Sequence, residues 1–340
     1  MRVLVWHVHS GWMDAFVRGP HEYLLPVDDD GNGGKTGYDW PEQAIEVPKD
    51  RLRDEDVDVV VLQRLEDIDA TTALLGRTPG KDVPAVFVEH NTPKGDIPNT
   101  VHPLADQEDI LIAHVTYFNQ LFWDNGRAPN TVIEHGIVDR GELYTGELPR
   151  IGAVINEPVR RWRVTGSDLL GGFSLIGRVD VFGMQAEGLA KKLGVRDDQV
   201  AAAGDLPTEQ LFSELAKRRL YLHPARWTSL GLSLLEAMHL GMPVVAVNAT
   251  EIGRAVPPEV GFVSDNVAEL HAAARRLLTE PERATEYGKR AREFALTHYS
   301  LDYFLERWSQ VLEDQVEAHG AKHGTKHGTK GTTHGKGRTK

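Results

Sequence analysis

One segment in the second half of the sequence combines a strand end, a short loop, a helix start and a carboxylate. It covers residues 223–238 and is followed by Gly-Met-Pro-Val-Val-Ala at 241–246. The free N–H groups of a helix start can hold a phosphate, and Gly231 would let that phosphate approach the backbone closely. The Glu236 carboxylate could accept hydrogen bonds from two vicinal hydroxyls, as a ribose offers. On its own, however, the segment fits a buried helix with a surface glutamate better.

Three arginines lie close together after another strand-like run. They are Arg160, Arg161 and Arg163, in a chain whose formal net charge is -12. Guanidinium groups form paired hydrogen bonds with phosphates, so such a cluster in an acidic protein indicates an anion site. A solvated basic loop explains the charge pattern equally well.

Two further candidates follow strand-like runs in the first half of the chain. Gly11 comes shortly after the run 2–6, and His90 follows the run 83–88. Open α/β sheets bind ligands at the carboxyl ends of their strands. Both residues are therefore candidates for a binding site, with a turn glycine and a structural histidine as the alternatives.

The elements that must position these residues alternate between strands and helices. Continuous Val, Ile and Leu runs are typical of strands buried on both faces of a parallel sheet. Two such series in tandem predict two doubly wound, Rossmann-like domains. The predicted strands are 2–6, 57–62, 83–88, 110–113, 131–133, 152–155, 179–182, 200–202, 220–222 and 244–247, and the main predicted helices are 211–217, 232–240, 267–278, 281–297 and 301–316.

The domain plan follows from these two series and from a change of composition near the C-terminus. Gly146 and Pro149 mark a linker, and Ser300 is an N-cap candidate for a last helix that we expect to pack back on the N-terminal domain. The repetitive Lys, His, Gly and Thr tail cannot build a core and is predicted to be disordered. The predicted units are 1–142, the linker 143–150, 151–299, the helix 300–318 and the tail 319–340.

Composition narrows the class of protein. The chain has no cysteine, which excludes disulfides, and its hydrophobic share of 41% is ordinary for a globular protein. Without the basic tail the formal charge is -18, which argues against nucleic-acid binding. We expect a cytoplasmic protein whose tail makes weak peripheral contact with anionic surfaces. The acidic run 28–30 is no metal motif, and no metal or cofactor is expected.

The segment 223–246 resembles glycosyltransferase family 4, whose pattern runs Pro-Ser-x-x-Glu-Gly-Phe-Gly-Leu-x-x-Leu-Glu-Ala-Met-Ala-x-Gly-x-Pro-Val-Val-Ala. The chain looks like a divergent member, since the resemblance is specific only in the second half. It implies a GT-B fold, in which two Rossmann-like doubly wound domains face a central cleft. The matching residues are Pro224, Gly231, Leu232, Leu235, Glu236, Ala237, Met238, Gly241, Pro243, Val244, Val245 and Ala246.

The resemblance implies roles for the residues of this segment. The second glutamate of the family pattern binds the donor ribose, which implies that role for Glu236. The backbone at Gly231 and Leu232 would face the diphosphate. The first glutamate of the pattern, which touches the donor sugar, falls on Thr228. The predicted donor-binding residues of the segment are Thr228, Ser229, Leu230, Gly231, Leu232 and Glu236.

The same resemblance assigns the arginine loop to the donor phosphates. With Gly166 aligned, the family's arginine falls on Arg160, which we predict to be catalytic. The family's lysine falls on Thr165, which we count among the donor-binding residues. Arg161 or Arg163 could replace the missing charge, and spacing leaves both open.

The first half carries two residues with implied roles. Members of the family often have a histidine near the reacting sugar, at the place where this chain has His90. We therefore predict that His90 is catalytic and hydrogen-bonds the sugar or the acceptor. Gly11 resembles the glycine of the family's first loop and is predicted to face the donor.

These roles imply a retaining transfer of a hexosyl or related group from a nucleotide-diphosphate sugar, without a metal. The acceptor, a glycan, a lipid-linked molecule or a small molecule, is not specified by the sequence. A nucleotide-sugar epimerase on the same fold is one alternative, with Glu89 and Glu134 as its candidate carboxylates. A protein that binds nucleotide-sugars without turnover is the other, because Thr228 and Thr165 replace charged residues.

Overall fold

The computed structural model describes residues 1–93 and 99–324. Within these two ranges, the strands form one sheet of seven and one of six, and every pair of neighbouring strands is parallel. The first sheet contains β1 (Arg2–Val5), β2 (Glu22–Val27), β3 (Ala44–Pro48), β4 (Val59–Leu62), β5 (Ala85–Glu89), β6 (Leu111–His114) and β7 (Asn130–Val132). The second contains β8 (Leu148–Val154), β9 (Val179–Phe182), β10 (Val200–Gly204), β11 (Arg218–His223), β12 (Val244–Val247) and β13 (Phe262–Ser264).

The helices lie between the strands and at the C-terminal end of the described chain. They are α1 (Ser10–Phe16), α2 (Glu66–Leu75), α3 (Tyr117–Phe122), α4 (Pro158–Arg161), α5 (Leu170–Phe173), α6 (Leu189–Leu193), α7 (Thr208–Leu215), α8 (Leu232–His239), α9 (Ile252–Ala255), α10 (Val267–Thr279), α11 (Pro281–His298) and α12 (Leu301–Gly324). None of the helices in the described residues is long and apolar enough to cross a membrane.

Both sheets have the strand order of a doubly wound fold. The first runs β3-β2-β1-β4-β5-β6-β7 and the second β10-β9-β8-β11-β12-β13. The chain therefore reverses its direction of growth between β1 and β4, and again between β8 and β11. The predicted fold class of two Rossmann-like domains is confirmed. These two reversal points are where such sheets bind ligands.

Two strands of the first sheet, β2 and β3, are absent from the sequence prediction. Pro26 lies inside β2, and an interior proline ordinarily argues against a strand. Here β2 pairs with β1 only as far as Leu24, so the N–H that Pro26 lacks is not needed on that side. The third strand missed, β13, has only three residues.

The linker is shorter than the sequence predicts, because Leu148 already belongs to β8. Its N–H donates to the carbonyl of Lys217 at 2.8 Å, which ties the first residue of β8 to the strand beside it. The predicted linker 143–150 therefore overlaps the second sheet by its last three residues.

The last helix returns to the N-terminal domain. The Trp308 ring of α12 packs edge-on against Trp12 of α1, with 5.5 Å between ring centroids, and the Ser300 hydroxyl accepts from the N–H of Tyr303 at 3.4 Å. The helix continues to Gly324 and so includes residues 319–324, which the sequence prediction placed in the tail. Ala318 and Ala321 favour helix, and the His319 ring hydrogen-bonds the Lys81 carbonyl at 2.9 Å. The rest of the predicted tail, 325–340, lies outside the described residues.

Candidate active site

A cavity of about 280 Å³ lies at the reversal point of the second sheet. Its floor is the carboxyl end of β8 and β11, where Val154 and His223 end adjacent strands. Five of the predicted site residues line it together: Arg161, Thr165, Thr228, Gly231 and Glu236. The structure thus brings the arginine loop and the α8 segment to one place.

Helix α8 begins directly at this cavity. Gly231 occupies its N-cap position, and no side chain caps the first turn, so the backbone N–H groups there are free to bind an anion. A Cβ at Gly231 would lie 2.5 Å from the His223 ring, and only glycine fits there. Leu234, Leu235 and Met238 are fully buried beneath the helix. At about 2 kcal/mol each, their burial holds the helix start in position.

The arginine loop presents Arg161 to the cavity, and not Arg160. Arg160 is exposed and ion-pairs with Glu157 on the outer side of α4. Arg163 is also exposed and pairs with Asp168 at 3.1 Å. Arg161 lies one residue further round the helix, half-buried, and its guanidinium has no hydrogen bond to any described residue. Arg160 therefore does not line the cavity in this structure, because neighbouring residues on a helix face different directions, and its catalytic role stays a prediction.

The loop is docked on the end of β11 by its backbone. The N–H groups of Arg226 and Trp227 both donate to the Val164 carbonyl, at 3.0 and 3.2 Å. Gly166 has φ 70° and lies so close to the Pro224 carbonyl that an added Cβ would come within 1.8 Å of it. This close approach sets the position of Arg161 relative to α8.

His223 is a residue of this cavity to which the sequence prediction gave no role. It is buried, and its Nε2 has no hydrogen-bond partner among the described residues. Its Nδ1 faces the Tyr221 hydroxyl at 3.5 Å, and that hydroxyl contacts Ser233 at 2.9 Å. Burial lowers the pKa of His223 to about 4, so the ring is neutral at pH 7. Its position at the end of β11, at the reversal point of the sheet, was the available signal.

Glu236 lies where this cavity meets a larger one of about 900 Å³ between the two domains, and it lines both. Burial raises the pKa of Glu236 to about 7, the nearby Asp14 carboxylate adds to the rise, and Arg140 opposes it. Its carboxylate is therefore only partly ionised near neutral pH.

The interdomain cavity is closed on one side by contacts between α1 and α8. Gly11 of α1 lines it, and a Cβ there would meet the Leu232 side chain at 2.9 Å, so Leu232 packs on the first turn of α1. Arg140 joins the domains, with one guanidinium nitrogen 2.9 Å from Asp14 and another 3.0 Å from Glu209 of α7.

Other predicted site residues lie outside the two cavities. The Ser229 hydroxyl contacts Thr116 of the first domain at 3.0 Å, and Leu230 is buried in the core of the second domain. Neither lines a cavity, because the loop turns them inward.

Thr165 lines the smaller cavity, but its hydroxyl contacts Ser167 at 2.7 Å and the Trp162 carbonyl at 3.1 Å.

His90 lies beneath the cleft and lines neither cavity. Its Nε2 contacts the Gln63 side chain at 2.9 Å, and its ring packs against His9 and Trp12 with centroids 4.1 and 5.4 Å apart. Burial, followed by the charges of His9 and His135, lowers its pKa well below the usual range.

Within residues 1–93 and 99–324, no group of three or more His, Asp or Glu side chains could hold a metal ion. Both epimerase candidates are also occupied elsewhere. Glu89 accepts from the N–H of Asn91 at 2.6 Å, and Glu134 pairs with Arg254 at 3.3 Å.

Residues 181–294 match the family described as glycosyl transferases, group 1. The matched segment lies within the second domain and covers less than half of the chain. The matched residues include α8 and Glu236 but stop short of the arginine loop. No curated protein matches the sequence.

Solved structures share the fold of this chain, two of them over more than nine tenths of both chains. Sucrose-phosphate synthase from Thermosynechococcus elongatus aligns with a TM-score of 0.71 at 15% identity, over 93% of this chain and 99% of that one. Anabaena HepE, solved with UDP-glucose, aligns with 0.69 at 15% identity, over 92% and 100%. S. aureus TarM aligns with 0.58 at 15% identity over 75% of this chain, which spans 55% of that one. The arrangement of two domains is therefore the GT-B fold.

The cavity has few charged side chains. Thr228 and Thr165, at positions where the resemblance described above has a glutamate and a lysine, both line it. Arg161 is the single Lys or Arg among the described residues that line it. The positive charge available to a diphosphate is therefore one guanidinium and the start of α8.

Proposed function

We propose that this chain transfers a sugar, with retention, from a nucleoside-diphosphate sugar to an acceptor held between its domains. The observation that carries the proposal is the position of Glu236, which lines both the cavity at the start of α8 and the cavity between the domains. A donor whose ribose contacts Glu236 would have its diphosphate at the start of α8 in the first cavity, and the cavity between the domains would take the acceptor.

The leaving diphosphate would be stabilised by three kinds of donor. The free N–H groups of α8 carry partial positive charge, Arg161 supplies a full charge, and the neutral His223 ring supplies a hydrogen bond. When the Tyr221 hydroxyl donates to Nδ1 of His223, Nε2 carries the proton of the ring, and this N–H has no partner among the described residues. Fixed donors aimed at a developing negative charge lower the barrier for its departure.

Glu236 would accept hydrogen bonds from the ribose hydroxyls of the donor. This role needs the ionised carboxylate, since a protonated one loses acceptor capacity. The UDP-glucose complex of the similar HepE supports a nucleotide-sugar as donor.

The family resemblance implies retention, which we propose to proceed by front-face attack. The acceptor oxygen would bond to the anomeric carbon from the side on which the diphosphate leaves. The bond between the anomeric carbon and the phosphate oxygen would break in the same step, and the proton of the acceptor hydroxyl would pass to that departing oxygen.

Turnover of labelled UDP-, GDP- and ADP-sugars tests the proposal. We expect one donor to be hydrolysed slowly in the absence of acceptor, and Glu236→Gln to reduce this at least tenfold. Arg160→Gln is a matched control, because Arg160 is exposed on the neighbouring surface. A C2-epimer as product would establish the epimerase instead. Tight binding without any turnover would establish a binding protein.

A further inference from the structure

We infer that the interdomain cavity takes a saccharide without phosphate or carboxylate groups as the acceptor. The inference rests on the proposed function and specifies its second substrate. It is carried by two features of the cavity wall, an exposed aromatic ring and an excess of carboxylates.

The aromatic ring is that of Tyr38. It lines the cavity and is 40% exposed, although it stacks on the buried Trp40 with centroids 5.2 Å apart and 22° between the ring planes. The His7 ring supports it edge-on at 5.6 Å. A ring held in this way offers a fixed, electron-rich surface to the C–H face of a pyranose.

The charges of the wall disfavour an anion. Asp14, Asp39, Glu209 and Glu236 line the cavity, against Arg18 and Arg140. Both guanidiniums are already used: Arg18 pairs with Asp14 at 2.9 Å, and Arg140 pairs with Asp14 and Glu209 at 2.9 and 3.0 Å. A phosphate or carboxylate would therefore meet a net negative wall with its cations paired.

Asp39, which forms no ion pair with a described residue, suits hydroxyl groups. An ionised carboxylate accepts several hydrogen bonds and donates none, so it matches a ligand rich in O–H or N–H donors. A saccharide, uncharged or carrying an amine, combines these donors with an apolar face for Tyr38. The cavity volume of about 900 Å³ is large enough for a disaccharide or longer chain end.

Binding to an array of immobilised glycans tests the inference. The binding is measured with and without the nucleoside diphosphate that stabilises the protein. The array carries uncharged, amine-bearing, phosphorylated and uronic-acid saccharides. We expect binding only to the first two classes, a loss of at least tenfold for Tyr38→Ala, and near-normal binding for Tyr38→Phe. Tyr303→Ala removes a tyrosine that is 53% exposed on α12 and should change nothing.

Charge reversal provides a second arm. Asp39→Lys should bind phosphorylated glycans on the array. Asp29→Lys changes the net charge equally, but Asp29 lies outside the cavity, so this variant should not bind them. Binding to no glycan, or a preference of the unaltered protein for anionic glycans, overturns the inference. If a nucleoside diphosphate stabilises the protein while no glycan binds, only the acceptor inference fails; if no diphosphate stabilises it, the proposed function fails.

Discussion

The hydroxyl of Ser229 lies 3.0 Å from the hydroxyl of Thr116, and this hydrogen bond joins the second domain to the first. The Thr116 hydroxyl also caps α3 by accepting from the N–H of Asn119. Ser229 thus occupies a position next to the donor loop while its side chain serves the domain interface. Its neighbour Thr228 faces the cavity.

Substitutions at Ser229 and Thr228 should affect different properties, the first the stability of the protein and the second the binding of the donor sugar. Ser229→Ala loses a buried interdomain hydrogen bond, which costs about 1 kcal/mol and lowers the melting temperature by about 2 °C. It should leave the stabilisation by nucleoside diphosphate unchanged. Thr228→Ala should leave the melting temperature of the free protein unchanged and weaken donor-sugar binding. Thermal unfolding with and without ligand measures both, and a loss of ligand response in Ser229→Ala would contradict the interface role.

Arg161 and Arg160 give a second matched pair. Removing the cation that lines the cavity should weaken diphosphate binding by about 1.5 to 3 kcal/mol, or at least tenfold. Arg161→Gln should therefore raise the Kd for nucleoside diphosphate, while Arg160→Gln loses only an exposed ion pair and should change it less than twofold. Isothermal titration calorimetry separates them. The reverse order would restore the role predicted for Arg160.

The sequence predicts the sheets and the α8 segment well, and the details of the arginine loop poorly. Buried strands such as β9 and β12 stand out as continuous apolar runs, and both are predicted to the residue. The choice between Arg160 and Arg161 depends on the rotation of a single-turn helix, which is set by contacts such as Gly166 against Pro224. No local pattern in the sequence encodes those contacts.

The same limit explains why the sequence does not predict where the side chains of Ser229, Leu230 and His223 lie. A motif assigns residues by position along the chain, but the loop before α8 turns Ser229 toward Thr116 and Leu230 into the core. His223 begins the segment, but the sequence gives it no role, because its unpaired Nε2 is visible only when burial and partners are known.

Glu236 should make nucleotide binding depend on pH. Burial raises its pKa to about 7, so the carboxylate that accepts ribose hydroxyls forms as the pH rises through 7, and affinity should rise with it. Glu236→Gln should lose this component and keep only the titration of the ligand's own phosphate. The difference between the two pH profiles, measured by calorimetry from pH 5.5 to 8.5, isolates the carboxylate. Parallel profiles would contradict the assignment.

The raised pKa has the opposite consequence for the stability of the free protein. In the unfolded chain the pKa of a glutamate is about 4.3. Between that pH and about 7 the folded state binds more protons than the unfolded state, so the free energy of unfolding contributed by Glu236 falls as the pH rises. The melting temperature of the unaltered protein minus that of Glu236→Gln should therefore decrease as the pH rises through this window. An increase would show that the carboxylate is stabilised by ionisation.

His223 should contribute to ligand binding without a pH dependence. Burial lowers its pKa to about 4, so the ring stays neutral between pH 5.5 and 8.5. His223→Leu removes the Nε2 donor and should weaken diphosphate binding by about 1 kcal/mol or more, roughly fivefold to tenfold. His223→Gln places an amide nitrogen at similar reach and should restore most of the affinity. Equal losses in both variants would indicate a packing role against Gly231.

The docking of the arginine loop should depend on the absence of a side chain at Gly166. Its φ of 70° costs an ordinary residue about 1 to 2 kcal/mol, and a Cβ would also lie 1.8 Å from the Pro224 carbonyl, so Gly166→Ala must push the loop away from β11.

Gly194 has φ 71° and no atom within 4 Å of an added Cβ, so Gly194→Ala has the same backbone strain without the clash. We expect Gly194→Ala to lower stability by this strain alone, about 1 to 2 kcal/mol, and to bind nucleoside diphosphate normally. Gly166→Ala should lower stability by a further 2 kcal/mol or more and lose the ligand response, because Arg161 no longer faces α8. Comparing the two variants by thermal unfolding with ligand therefore measures the contact itself, and equal behaviour would mean that this contact does not position Arg161.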